Sequence, residues 1–566
     1  MSERAALLLV LVFLAAIRTM PIVPSSFAVE PPGFVIIRED GSVEGTDKIQ
    51  RVGDVYTLRG DINVDSAEWV HSGIQVLKDN IVIDGARFCL FASGLSGNGI
   101  DLSDRNNVEI KNLRISGFLI GVLLNNASNN RIHANEITGY SGGGPYGVPT
   151  GIWLSLSSNN RITSNKVTAN NEYGISVHAA SANNFLQGNV VTENGVGIVI
   201  DYCPNNTLRN NQMTGNELNF KLGYNSFEQF MQDIDTSNTV EGKPVYYWLY
   251  EHNKTVPSNA GFVALGNCTN IVVKDLQISN SYDSITLINT NDSVLAGNSI
   301  NKCATGIFLK YCRNVNVTGN TITGNVDSGI GTIECSNILI AENSIDSCKF
   351  GISTAGQTAR HSGGWGSTNM TIFRNNITNC DPGVYFSLSS NNLVSQNSFR
   401  GNAYGVNLVA SSKNNFTENT FVENSGGALR ISDAFNNTFF CNNFIDNELD
   451  SQVLTRWYYA RVYETNIWDN GHEGNYWSNF KDRYPNASEI SPTRTWNTAF
   501  YIDDVNIDHY PLVNPHEIGT DKPADSLLPL ISPLHVLVTF SVALVAVATG
   551  VGLLICFKKR RKIKNA

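Results

Sequence analysis

The chain has 566 residues, of which 42% are hydrophobic and only 16% charged, with 48 Gly, 17 Pro and 70 Asn. Charge is too low and aromatic content, at 10%, too high for a disordered chain, and Pro is too scarce for a collagen-like or linker protein. A net charge of −10, with no Lys/Arg cluster before the extreme C-terminus, argues against nucleic acid as a partner, while the surplus of Asn and Gly demands many turns.

At the N-terminus, Arg4, an apolar run over 5–17 and the small residues Ser25, Ser26 and Ala28 predict a secretory signal peptide over 1–28. Residues 29–72 are assigned to an N-terminal cap. From 73 to 450 the chain repeats. A Gly followed by an apolar residue recurs at Gly73, Gly99, Gly121, Gly151, Gly174, Gly197, Gly261, Gly306, Gly329, Gly351, Gly383, Gly405 and Gly427, with Ser284 standing in once, mostly 22 or 23 residues apart. Positions one and three after that Gly are apolar, as in Ile152/Leu154 and Ile198/Ile200, which is the period of a strand with one buried face. A second element, Asn-x-(Ile/Val/Phe), follows about a dozen residues later, as in Asn165/Val167 and Asn320/Ile322. A unit this short has no helical period and cannot bury its inner face alone. Stacked units can, as an all-β, parallel β-helix of about fourteen coils in which Asn forms ladders at the turns.

Residues on the outside of such a stack form rows. The position two after the Gly supplies Trp153, Phe308 and Tyr385, aromatics suited to stack on sugar rings. Four after the Gly, consecutive coils carry His178 and Asp201, with Tyr202 beside the latter; a His next to a carboxylate can act as a base and its orienting partner. No second carboxylate or Lys/Arg clamp is evident on the neighbouring coils, so a solvated polar row is the simpler expectation. Three insertions break the period, at 140–150, 220–260 and 356–368, and they add Tyr146 and Trp365 as ligand-binding candidates. Within the second, Tyr246 to Tyr250 reads either as a binding loop or as an extra strand sealing a defect in the stack. Cys312 and Cys335 share a phase in adjacent coils, as do Cys348 and Cys380, and such stacked thiols behave as small apolar residues. Sequons number about eleven, the level chance gives at this Asn content.

Beyond the last clear coil, 451–514 is rich in aromatic residues, including Trp457, Tyr458, Trp468, Trp477 and Trp496, as a cap over an exposed apolar cross-section should be. A Pro-rich stalk over 515–533 leads to an apolar stretch over 534–557, long enough to span a bilayer, and a basic tail over 558–566. By the positive-inside rule the tail is cytoplasmic and the repeats extracellular, on a single-pass membrane protein.

The motifs IVIDGA (81–86), the NN-x-x-x-x-N-x coils such as 159–167, GKPVYY (242–247), GNYWS (474–478) and DHYPL (508–512) together resemble the NosD-like right-handed parallel β-helix proteins, whose repeats also occur in the CASH domain and in archaeal surface proteins. The resemblance covers roughly 35–513. It implies copper through the family label and calcium through an acidic loop near the last two motifs. The loop here, KDRYPNASEISPTRTWNT (481–498), lacks that acidic pattern, and with five Met and nine His no soft copper cluster is evident, so neither cofactor is read from the residues. Function is expected to be carbohydrate binding, adhesion or a surface-layer role, engaging polysaccharide, glycan or a surface-layer protein. The alternative is a polysaccharide-active lyase, hydrolase or epimerase. Convergence of several carboxylates, or of a carboxylate with Lys or His, on one groove separates the two.

Overall fold

A computed structural model describes residues 34–64, 72–139, 148–354, 366–448, 451–454 and 465–518, with the side chains of 93–96 and 451–454 left aside. The expected signal peptide, Tyr146, Trp365, and the segments 534–557 and 558–566 lie outside the described residues. Among those described, no helix is long and apolar enough to cross a membrane.

The fold is an all-β solenoid of about 16 turns, rather than fourteen. Nine strands suffice to place the site: β1 (Thr150–Ser155), β2 (Tyr173–His178), β3 (Val196–Asp201), β4 (Leu218–Gly223), β5 (Lys243–Leu249), β6 (Phe262–Gly266), β7 (Asp283–Ile288), β8 (Thr305–Lys310) and β9 (Ser328–Ile333). β1 to β4 pair in parallel and in register, so that Ile152, Ile175, Ile198 and Phe220 superpose inside while Trp153, Ser176, Val199 and Lys221 superpose outside. The recurring Gly is required by close approach: a Cβ on Gly174 would come within 2.6 Å of the Gly197 carbonyl oxygen.

Buried side-chain amides hold successive turns together. Along one column Asn298, Asn320, Asn343, Asn375, Asn397, Asn419, Asn442 and Asn475 each accept, through Oδ1, the backbone N–H and mostly also the side-chain amide of the coil before. Each Asn of this run also donates to a backbone carbonyl of an earlier coil, so every polar atom of a fully buried turn is satisfied. The column ends in the cap on Asp508, which accepts from the Asn475 N–H and the Trp477 indole and is pushed up to about 7 by burial. Alongside, Phe399, Phe421, Phe444, Trp477 and Phe500 stack ring on ring at 4.2–5.1 Å, closing the apolar end.

The stack is not continuous. There are two apolar cores, and β5 and β6 form a partition between them. Phe262 and Ala264 of β6, with Val245 and Tyr247 of β5, belong to the first core, whereas Val263 and Leu265 belong to the second. Ile288, on the outer side of β7, also packs into the first core. The second stack therefore closes the open end of the first with its own lateral wall. The period break differs from the expected 220–260 accordingly. Residues 218–223 are a regular coil strand on β3, and 243–249 and 262–266 are strands of the next stack. At the other end, 451–454 still pairs with 427–432, so the coils run past 450.

Asn397→Ala removes the acceptor of a buried backbone N–H and is expected to lower unfolding free energy by about 3 kcal/mol. An unchanged urea midpoint would show that the ladder contributes nothing.

Candidate functional site

Where the outer face of the first stack meets the wall of the second, a cleft of about 370 Å³ opens. The first stack supplies Asp201 and Tyr202 at the end of β3, Lys221 on β4 and Tyr224 just beyond it. The second supplies Tyr282 and Asp283 at the start of β7, Phe308 and Lys310 on β8, and Asp327 before β9. Backbone bonds lock the two sides: the Asn219 N–H donates to the Asn280 carbonyl and the Tyr282 N–H to the Phe220 carbonyl.

At the centre, Lys221 Nζ lies 3.3 Å from Asp201 Oδ2 and 4.8 Å from the centre of the Tyr282 ring, and the Lys221 and Asp201 side chains are only 20% and 19% exposed. Burial pulls the Lys221 ammonium down, but Tyr282 and Asp201 outweigh it and hold it protonated. Asp283 behaves oppositely. Burial, reinforced by Asp327 and Asp201 against the opposing pull of Lys221, pushes its carboxyl up to about 7. Burial also raises the Tyr282 and Tyr173 phenols and lowers the His178 imidazole, the last against the field of Asp201. One region thus contains a carboxyl group pushed up to about 7 beside an Asp201–Lys221 ion pair. That separation is what general acid–base chemistry requires.

Buried polar atoms without a partner gather at the same junction: His178 Nε2, Asp201 Oδ1, Tyr224 Oη, Ser281 Oγ and Thr286 Oγ1. Of these, Asp201 and Tyr224 line the cleft; Asn407 Oδ1 and Asn415 Oδ1 are buried and unpartnered farther along the solenoid.

His178 and Asp201 are direct neighbours across β2 and β3, as their spacing predicts. The expectation of a solvated polar row is overturned, because Lys221, Asp283 and Asp327 enclose Asp201 and both side chains are largely covered. Tyr202 lies at the rim, 37% exposed, and Phe308 lines the wall. Trp153 instead packs against His178 at 4.2 Å with the rings near perpendicular, and Tyr385 packs on Phe350, outside the cleft. Sequence reasoning misses Lys221, Tyr282, Asp283, Lys310 and Asp327. The signal for Lys221 is the alternation Leu218, Phe220, Leu222 behind the ladder residue Asn216, with Asn219 where the Gly should be. For metals, no group of three or more His, Cys, Asp or Glu among the described residues could hold an ion. The nine cysteines among the described residues are free, and all but Cys89 are buried in the stack. Cys312 and Cys335 occupy ladder positions, the Cys312 N–H donating to Cys335 Sγ at 3.4 Å. Two stacked thiols fall short of the three or more donors that a metal site needs, and no third joins them among the described residues.

Two family models match, and the gap between them falls at the junction. Residues 61–213 match the right-handed β-helix region, and residues 225–361 and 365–481 match the periplasmic copper-binding protein (NosD) model. No curated protein matches the chain. Among solved structures, the periplasmic alginate epimerase AlgG is 12% identical, covering 74% of this chain and 70% of its own, with a TM-score of 0.26. The DFA-IIIase from Arthrobacter chlorophenolicus A6 is also 12% identical, covering 66% and 78%, with a TM-score of 0.27. The A-module of the Azotobacter vinelandii mannuronan C-5 epimerase AlgE6 is 12% identical as well, covering 70% and 86%, at 0.17. At these values nothing known of those proteins is transferred to this chain.

A Cβ on Gly223 would overlap Asp201 Oδ1. Gly223→Ala is therefore expected to drive Asp201 off Lys221 and to lower unfolding free energy by about 1–3 kcal/mol. An Asp201 side chain that keeps its place in a structure of the variant, with an unchanged denaturation midpoint, would contradict this.

Proposed function

From a chain whose two family matches and solenoid support a NosD-like right-handed β-helix family, we propose a polysaccharide-cleaving protein with the junction cleft as its catalytic site. The observation that carries this reading is the placement of Asp283, its carboxyl pushed up to about 7 by burial, in one cleft with the Asp201–Lys221 ion pair. Asp283 donates its proton to the leaving sugar oxygen as the glycosidic C–O bond breaks. His178, whose proton affinity burial lowers, and the unpartnered Oδ1 of Asp201 are the proton acceptors, while Lys221 pairs with Asp201 Oδ2. They take the proton either from the water whose oxygen bonds to the anomeric carbon, giving a reducing end, or from the carbon adjacent to the one that loses the leaving oxygen, whose C–H electrons form the C=C of an unsaturated end. Phe308 and Tyr202 offer apolar faces to sugar rings. In this reading the signal peptide over 1–28 exports the protein, and the segment over 534–557 tethers it with its repeats outside the cell. Glycan binding, adhesion and the CASH-type, archaeal surface setting implied by the motifs are compatible with such a role.

The test is incubation of the whole protein in detergent with a set of polysaccharides, following unsaturated ends and reducing ends separately. Release of either is expected, and Asp283→Asn and Asp201→Asn are each expected to lower the rate about a hundredfold or more. The rate should rise with pH as His178 loses its proton, below its ordinary 6.5, and fall above about 7 as Asp283 loses its own. Binding without turnover would replace cleavage with an adhesive role, and a rate indifferent to both Asp substitutions would remove the cleft as its seat.

A further inference from the structure

Two lysines line the cleft, and they differ in one respect. Lys221 has a carboxylate partner, whereas no carboxylate among the described residues lies within ion-pair distance of Lys310. Lys310 ends β8 and is partly buried. Its Nζ lies 5.5 Å from the Tyr224 ring centre and 5.2 Å from that of Tyr311, and its single polar contact among the described residues is the Asn225 carbonyl at 3.5 Å. Burial lowers its pKa, opposed only by the more distant field of Glu334. A partly desolvated ammonium resting on aromatic faces is stabilised by an anion brought to it, and the described residues bring none.

Its surroundings limit what that anion can be attached to. Phe308 lies two residues before Lys310 on the same outer face, and Thr286, whose hydroxyl has no partner, pairs with Phe308 across β7 and β8. Tyr224, supplied by the first stack, has its ring centre 6.5 Å from that of Phe308, and its hydroxyl is buried and likewise without a partner. An apolar ring face beside a cation that has no carboxylate partner among the described residues matches a sugar ring bearing a negative charge. A neutral sugar would leave Lys310 without a counter-ion. A free inorganic anion would leave Phe308 uncovered.

We propose that the cleft takes an anionic polysaccharide, with a sugar carboxylate or sulfate paired to Lys310 and its ring laid against Phe308. The proposal rests on the glycan-active reading of the same cleft, and it can fail while that reading stands.

The experiment is calorimetric titration of the whole protein in detergent with length-matched oligosaccharides of a polyuronate, a sulfated glycan and a neutral glucan. One of the anionic ligands is expected to bind at least about tenfold tighter than the neutral one, and which one does so distinguishes carboxylate from sulfate. Lys310→Met is expected to erase that preference by weakening only the anionic ligand, and Lys310→Arg to retain it, which excludes misfolding as the cause. Equal affinity for the neutral glucan, or a preference that survives Lys310→Met, overturns the proposal. If the neutral glucan is bound and cleaved, cleavage survives and the anionic subsite does not. If no glycan binds, both fall.

Discussion

The architecture depends on one interaction: the buried side-chain amide that accepts the backbone N–H of the preceding coil and donates to a carbonyl of an earlier one. A turn at the corner of a solenoid leaves main-chain polar groups facing a dry interior, and each such group left unmatched costs a substantial fraction of a domain's stability. Asn supplies donor and acceptor together and tolerates the left-handed backbone such corners need, as at Asn159, Asn183 and Asn205. Because the ladder fixes register, every outward position becomes a column. Residues about 22 apart in sequence are thereby held within one strand spacing of each other.

The site follows from where that order gives out. In the first stack Asn170, Asn194 and Asn216 form a ladder, but Asn216 donates to Asn219 within its own coil, and Asn219 turns to the Asn280 carbonyl of the second stack. The ladder is redirected there rather than continued. The wall formed by β5, β6 and β7 supplies the apolar cover that the open end of the first core needs, and an inner corner remains between the two stacks. Polar side chains in that corner are shielded enough for burial to shift their proton affinities, and open enough to leave a cleft. Lys221 and Asp201 compensate one another, burial pushes the Asp283 carboxyl up to about 7, and Lys310 has no carboxylate partner among the described residues.

Much of the fold was legible because its cause is periodic. Gly at the crowded strand start, apolar residues one and three later and Asn at the turn recur in Gly174–Asn189 and Gly306–Asn320 alike, and each has a steric or hydrogen-bonding reason visible in one repeat. The adjacency of His178 and Asp201 was legible for the same reason, being a matter of register. Their environment was not. Lys221 sits in a coil whose marker Gly is Asn219, which hides the strand inside the apparent insertion. Asp283 and Lys310 reach the cleft only because the second stack meets the first sideways, a relation that no spacing encodes. Trp153 and Tyr385 show the converse limit. Their outward position was evident, yet each is engaged by a neighbour, His178 or Phe350, that a single column cannot reveal.

The account therefore stands on electrostatics at a junction, and its most exposed element is the proton on Asp283. Observing the aspartate side-chain carboxyl carbons by ¹³C NMR across pH, with Asp283→Asn to assign the resonance, measures that proton directly. A midpoint near 7 is predicted, because burial and two neighbouring carboxylates outweigh Lys221. A midpoint near 4, the ordinary aspartate value, would mean that the corner is wet and that the cleft is not the proton-transfer site described.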